Sequence, residues 1–146
     1  MSTRANIEVY DHGGGEDEIG GWASSNLGVL LHHDLFGHPA SVGTDLDQML
    51  KEAKPELAAL GCLHRWESQT VGALLVKLSA TRNEMLIDIP TFQPCLDIQE
   101  DIDYLWRVYL GPEFGEYDVQ CFRVTWDRDR GRIKQLKKLD WREEAG

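Results

Sequence analysis

Ile102-Asp103-Tyr104-Leu105-Trp106-Arg107-Val108-Tyr109-Leu110-Gly111-Pro112-Glu113-Phe114-Gly115-Glu116-Tyr117-Asp118-Val119-Gln120-Cys121-Phe122-Arg123-Val124-Thr125-Trp126 is the stretch whose reading decides the fold. Ile102, Tyr104, Trp106, Val108 and Leu110 alternate with Asp103, Arg107 and Tyr109, the two-residue period of a strand. Residues 111–115 carry Pro112 and two glycines, a loop of hairpin length. Beyond it Phe122, Val124 and Trp126 alternate with Val119, Cys121 and Thr125. Residues 102–110 and 117–126 are therefore expected as an antiparallel hairpin, with Trp106, Val108, Phe122 and Val124 in the core.

Downstream, Asp129-Arg130-Gly131 is a turn, and Ile133, Leu136 and Leu139 fit either a last edge strand or a helical turn. Upstream, Ala5, Ile7 and Val9 alternate with Arg4, Asn6, Glu8 and Tyr10, which gives a half-buried first strand over residues 3–10. Leu27, Val29 and Leu31 point one way and Gly28 and Leu30 the other, so residues 26–33 read as a central strand with apolar groups on both faces. Thr44 is a good N-cap with Asp47 at N3, and Leu46, Met49, Leu50 and Ala53 follow helical spacing, predicting a helix from 45 to about 54. Pro55 kinks it or opens a new turn, and Gly61 is placed to end it. Ser68 is placed to cap a second helix whose stripe is Val71, Leu74, Leu75 and Leu78. Residues 85–89 read as a short strand stopped by Pro90, with Pro94 keeping the next residues irregular. This order is not the alternation of a doubly wound sheet. It predicts an α+β fold: an antiparallel sheet of four or five strands with two helices packed on one face, and Ile7, Val9, Leu31, Leu50, Leu74 and Leu78 in one core.

A chain of 146 residues fits a single domain spanning 1–146. Its 42% hydrophobic and 27% charged residues are too apolar for a disordered chain. No run approaches the ~18 apolar residues of a membrane span. Arg4, Asn6 and Glu8 break any signal-peptide core, so a cytoplasmic protein is expected. Cys62, Cys95 and Cys121 are odd in number and widely spaced, which fits free thiols rather than a disulfide or zinc framework. The net charge of -10 is uneven: residues 1–122 hold 7 basic and 20 acidic residues, net -13, while the basic segment 123–142 holds 8 basic and 3 acidic, net +5. An acidic body repels the phosphate backbone, so direct nucleic-acid binding is not expected, whereas a basic partner surface is.

Chemistry-bearing residues gather at one junction, where the strand over 26–33 ends in His32, His33 and Asp34 and a loop with Gly37, His38, Pro39 and Gly43 leads into the helix. Neighbouring strand residues face opposite ways, so at most one of His32 and His33 joins His38. With Asp34, and Arg4 or Asn6 from the first strand, such a group suits a divalent metal or a phosphate-bearing ligand. The spacing matches no metal motif and no HExxH is present, so no metal and no cofactor are expected. Gly13-Gly14-Gly15 lacks the rest of a P-loop, and Glu16, Asp17 and Glu18 would repel phosphate. Ser24, Ser25 and Ser41 lack a nucleophile elbow, and Cys62 with His64 lacks an orienting third group. Asp101 and Asp103 share one side of a strand and could share a proton or a metal, although such a pair is more often a solvated edge. A binding protein is favoured over an enzyme, with Glu16, Asp17, Glu18, Asp97, Glu100, Asp101, Asp103, His33, Asp34 and His38 as candidate contacts.

The opening Met1-Ser2-Thr3-Arg4-Ala5-Asn6-Ile7 resembles the start of a family of small phage and prophage proteins. Members follow with a His-His-Trp-Asp-Gly-Tyr-Pro type motif and a Val-Gly-x-x-Leu helix start, similar to His32, His33, Asp34, Gly37, His38, Pro39, Val42, Gly43 and Leu46. A later Asp-Ile-Glu-Tyr-Leu-Tyr type strand is similar to Asp101, Ile102, Asp103, Tyr104, Leu105 and Trp106. The Trp-Asp pair is not reproduced here, where Asp34, Leu35 and Phe36 stand, and His38 replaces the usual Tyr. The resemblance implies a phage or prophage origin and action in the host cytoplasm. Phage accessory proteins of this size commonly occupy a host protein's surface, and an acidic face imitates the phosphate backbone. An anti-defence inhibitor of a host protein or complex with a basic surface, for example an anti-CRISPR, is the expected function. The alternatives are a small metal- or nucleotide-binding enzyme using the histidine junction, and a virion assembly protein with Trp141 and the basic run as a docking tail.

Overall fold

The computed structural model describes residues 4–12, 25–30, 39–62, 64–81, 92–95 and 102–144. The chain runs β1 (Arg4–Tyr10), β2 (Ser25–Leu30), α1 (Pro39–Ala59), α2 (Ser68–Thr81), β3 (Phe92–Cys95), β4 (Tyr104–Leu110), β5 (Tyr117–Asp127), β6 (Arg132–Leu139) and α3 (Trp141–Glu144). The strands form one sheet in the order β3-β2-β1-β4-β5-β6. Every pairing is antiparallel except β1 with β4, which run parallel at the centre. The fold is α+β, as the order of elements predicts. The sheet has six strands rather than four or five, because short β3 extends one edge and β6 the other.

The predicted hairpin forms, and its register sets the core. Trp106 lies opposite Cys121 and Val108 opposite Val119, while β1 places Ile7 beside Trp106 and Val9 beside Val108. These side chains, with Ala5 and Leu110, form one cluster with Val42, Leu46, Met49 and Leu50 of α1, Val71, Leu75 and Leu78 of α2, and Trp141 of α3. Ile7, Val9, Leu50, Leu78, Trp106 and Val108 are buried in this cluster as expected, whereas Leu74 is buried in a second, smaller cluster with Ala53 and Leu57. Phe122 and Val124 are only half-buried, since the register turns Val119 and Cys121 toward the helices instead. Both alternate sets of β5 are apolar, so the period identifies the strand and not its inner face. Leu31 and residues 85–89 lie outside the described residues.

Three local expectations change. Helix α1 begins at Pro39, so Thr44 is interior rather than the N-cap; Pro needs no partner for its missing N–H in a first turn. Pro55 lies within the same helix and does not end it. Gly61, at φ +73°, does: its N–H donates to Ala58 O at 3.0 Å and that of Cys62 to Leu57 O at 2.9 Å, the paired bonds of a left-handed C-terminal cap. Pro94, expected in irregular chain, sits in β3, where an edge strand tolerates its missing donor. At α2 the cap comes from elsewhere: the Asp11 carboxylate, just after β1, accepts from Ser68 N–H at 2.7 Å and from Ser68 Oγ at 3.1 Å.

The end of the chain is an edge strand followed by a short helix, so the choice left open by Ile133, Leu136 and Leu139 resolves to β6. Trp141 is no docking tail. It is 5% exposed, its indole N–H donates to Val119 O at 3.2 Å, and its ring meets Trp106 edge-on at 5.9 Å. The ring packs against Gly43, where an added Cβ would collide with it. Among the described residues no helix is long and apolar enough to cross a membrane.

Candidate functional site

The even-numbered residues of β1 and odd-numbered residues of β4 point away from the helices, and alternation reads them as a solvent face. Most are buried instead: Asn6, Glu8, Tyr10 and Leu105 have no exposed surface and Arg107 only 5%, while Tyr109 is half-buried. The parallel register sets Glu8 beside Arg107 and Tyr10 beside Tyr109. Arg107 Nε donates to Glu8 Oε1 at 3.3 Å, joining residues 99 positions apart. The rings of Tyr10 and Tyr109 stack at 5.3 Å, and the guanidinium lies 5.9 Å from the Tyr10 ring and 5.3 Å from the Phe122 ring. One cation is therefore held by a carboxylate and two aromatic faces.

The electrostatics follow from that enclosure. Burial, reinforced by the negative charge of Glu8, holds the Tyr10 hydroxyl well above its ordinary pKa, so it stays protonated and is a donor. Burial alone would weaken the Arg107 cation, yet Tyr10, Tyr109 and Glu8 more than offset it and its pKa is raised. A carboxylate sealed against a guanidinium is poorly placed to exchange protons with a substrate. It is well placed to penalise any other register of the central strands, because a buried charge separated from its partner costs several kcal/mol, roughly 3–5.

A second polar group ties α1 to β5. Tyr117 OH donates to Asp47 Oδ1 at 2.7 Å, and Lys51 Nζ stands 3.1 Å from Asp47 Oδ2. Burial would raise the Asp47 pKa, but the Tyr117 hydrogen bond and the Lys51 charge outweigh it and the carboxyl sits below its ordinary value. Asp47 is thus a mid-helix anchor rather than part of a capping box.

Of the candidate contacts, only Asp103 is among the described residues; it is exposed, and its carbonyl accepts from Val124 N–H at 3.0 Å where β4 begins. Glu16, Asp17, Glu18, Asp97, Glu100, Asp101, His33, Asp34 and His38 lie outside them, as does His32. Among the described residues no three His, Cys, Asp or Glu are grouped to hold a metal. Cys121 is buried and Cys62 half-buried, both as free thiols. Glu8 and Arg107 escaped the sequence reading because single charges in alternating strands pass for solvent-facing residues. A signal was present: Glu8 and Tyr10 in one strand repeat the charge-then-tyrosine spacing of Arg107 and Tyr109 in the other, with opposite charge.

The surface charge is sorted by the fold. Arg123, Arg128, Arg130, Arg132, Lys134, Lys137 and Lys138 are all exposed, and all belong to the hairpin β5–β6 at one edge of the sheet. Elsewhere Lys51, Arg65 and Lys77 are each within ion-pair distance of Asp47, Glu67 and Glu56 respectively. No known protein family, curated protein or solved structure matches the chain.

Proposed function

We propose that this protein works by binding: a phage or prophage accessory protein that occupies a basic surface of a host protein or complex in the host cytoplasm, as an anti-defence inhibitor such as an anti-CRISPR does. One observation supports this reading above others. Seven of the eight basic residues of 123–142 are exposed together on the hairpin β5–β6 at one edge, while residues 1–122 carry a net -13. An acidic surface steers a basic partner toward it and competes with the phosphates that partner ordinarily meets. The buried Glu8–Arg107 pair is better suited to fixing strand register than to catalysis, so it lends an enzyme no support.

The test is affinity capture from host lysate with the full chain as bait. A basic protein or complex should be retained, and retention should fall as salt rises, since exposed charge pairs are screened. Reversing Glu16, Asp17 and Glu18 to Lys, or Asp97, Glu100 and Asp101, should slow association of the recovered partner without unfolding the domain. His33→Ala and His38→Ala should leave it unchanged. Binding lost with the histidines and indifferent to the reversals would replace this reading with a ligand site at the histidine junction.

A further inference from the structure

The exposed cations of the hairpin β5–β6 differ in their neighbours. Arg130 stands 3.8 Å from Asp127, and the Arg123 guanidinium lies 6.0 Å from the Tyr104 ring. Arg132, Lys134, Lys137 and Lys138 form no ion pair among the described residues, and β6 itself contains no acid. These four stand on both sides of the outermost strand. Lys138 lies across from Phe122 on the face away from the helices, Lys137 lies across from Arg123 on the helix-bearing face, and Lys134 is the residue left over at the bulge. From Arg132 to Lys138 the strand covers roughly 20 Å, at about 3.3 Å per residue.

The face away from the helices is aromatic. Val119 and Cys121 turn toward the helices, so alternation sends Phe122, Val124 and Trp126 the other way, opposite Lys138, Leu136 and Ile133. Phe122 and Trp126 are half-buried, and both rings are held in place. The Arg107 guanidinium lies 5.3 Å from the Phe122 ring, and the Trp126 indole N–H donates to Ile102 O at 2.9 Å. Fixed rings that keep part of their surface in solvent are stacking platforms, and a row of cations beside them is a track for phosphates.

We propose that this hairpin binds single-stranded nucleic acid, with the phosphates running along β6 and the bases turned over Phe122 and Trp126. Arg132, Lys134, Lys137 and Lys138 supply the charge, and the rings supply stacking that tolerates any sequence. An acidic peptide meets the same charge but brings no flat group to the rings, a duplex hides its base faces, and rings held half inside the sheet do not reach into a bilayer. The acidic body opposes the ligand only at short range, because charges beyond about 8 Å are largely screened at physiological salt. The site shares no residue with the acidic surface proposed above, and each stands without the other.

The probe is fluorescent oligothymidylate of about ten nucleotides, titrated into the full chain by anisotropy beside an abasic oligomer of equal charge, a stable DNA duplex and phosphatidylglycerol vesicles. Oligothymidylate should bind saturably at low salt, the abasic oligomer and the duplex at least about fivefold more weakly, and the vesicles should not compete. The logarithm of affinity should fall with the logarithm of salt at a slope of about -3, from four cations at roughly 0.7 each. Lys134→Gln, Lys137→Gln and Lys138→Gln together should cost at least about tenfold in affinity and bring the slope to about -1. Phe122→Leu should weaken oligothymidylate by at least about fivefold and leave the abasic oligomer unchanged, a value that also reports the variant as folded. The comparison of oligomers on the unaltered chain decides stacking without any variant. No saturable binding at low salt, equal binding of the abasic oligomer or the duplex, displacement by the vesicles, or a slope indifferent to the glutamine substitutions would each overturn the proposal.

Discussion

At Glu8 and Arg107 two charges are carried into a region with almost no exposed surface, and the consequence can be measured. Arg107→Met leaves Glu8 buried beside no cation, and urea unfolding should show a loss of about 3–5 kcal/mol. Glu8→Leu combined with Arg107→Met removes both charges and should recover most of that loss, because a desolvated pair contributes little net stability. A single mutant costing under ~1 kcal/mol would mean the pair is not sealed from water. Gly43 carries a second prediction with a diagnostic sign. Replacing a helix-interior glycine by alanine ordinarily stabilises by about 1 kcal/mol. Here the new Cβ meets the Trp141 ring, so Gly43→Ala should lower the melting temperature and alter tryptophan fluorescence. The sequence reading placed this glycine in a loop and in a resemblance, whereas it lies inside α1; the contact that requires it joins residues far apart in the chain, which no local pattern records.

Elements are held to one another by a few polar ties whose protonation gives stability a pH dependence. The depressed Asp47 carboxyl contributes stability that is present above its ordinary pKa of 3.8 and is lost as pH falls through the lower folded value. The raised hydroxyls of Tyr10 and Tyr117 contribute stability that is full below their ordinary 10.0 and is lost as pH rises beyond it. Asp47→Asn should therefore flatten the acid limb of a melting-temperature profile. Tyr117→Phe should flatten the alkaline limb, with a loss of about 1 kcal/mol at neutral pH from the missing hydrogen bond. An unchanged alkaline limb in both Tyr117→Phe and Tyr10→Phe would reject the assignment. Most elements were legible beforehand because each carries its own period: the 102–126 hairpin, the stripe Val71, Leu74, Leu75 and Leu78, the alternation of β1. Most of what was not legible depends on neighbours. The strand through Pro94 and the Asp11 cap on Ser68 each rest on a partner distant in sequence, whereas the helix start at Pro39 follows a local rule, proline in a first turn, at a residue the sequence reading gave to a loop.

In the whole molecule the first strand is central, flanked by β2 on one side and by parallel β4 on the other. Alternation alone could announce β1 as a strand, but not that both its faces would be buried, because its outer face is polar. That topology makes the chain's first described element a requirement for all the rest. Strands β4, β5 and β6 form a meander that could persist locally, whereas β2 and β3 reach the sheet only through β1. The helices span the seam: α2 packs against β1, β2 and β3, and α1 against β5. Without β1 neither half covers its apolar face, so unfolding should be a single cooperative event despite the long loop closure that the parallel pairing demands. Denaturant transitions followed by tryptophan fluorescence, which reports Trp106 and Trp141 in the core, and by far-ultraviolet circular dichroism should superimpose. A chain lacking residues 1–10 should lose both signals and bind a hydrophobic dye, and adding the missing strand back as a synthetic peptide should restore them in a concentration-dependent way. Two separated transitions, or a truncated chain that keeps its native near-ultraviolet spectrum, would show that the sheet is two independent pieces and not one.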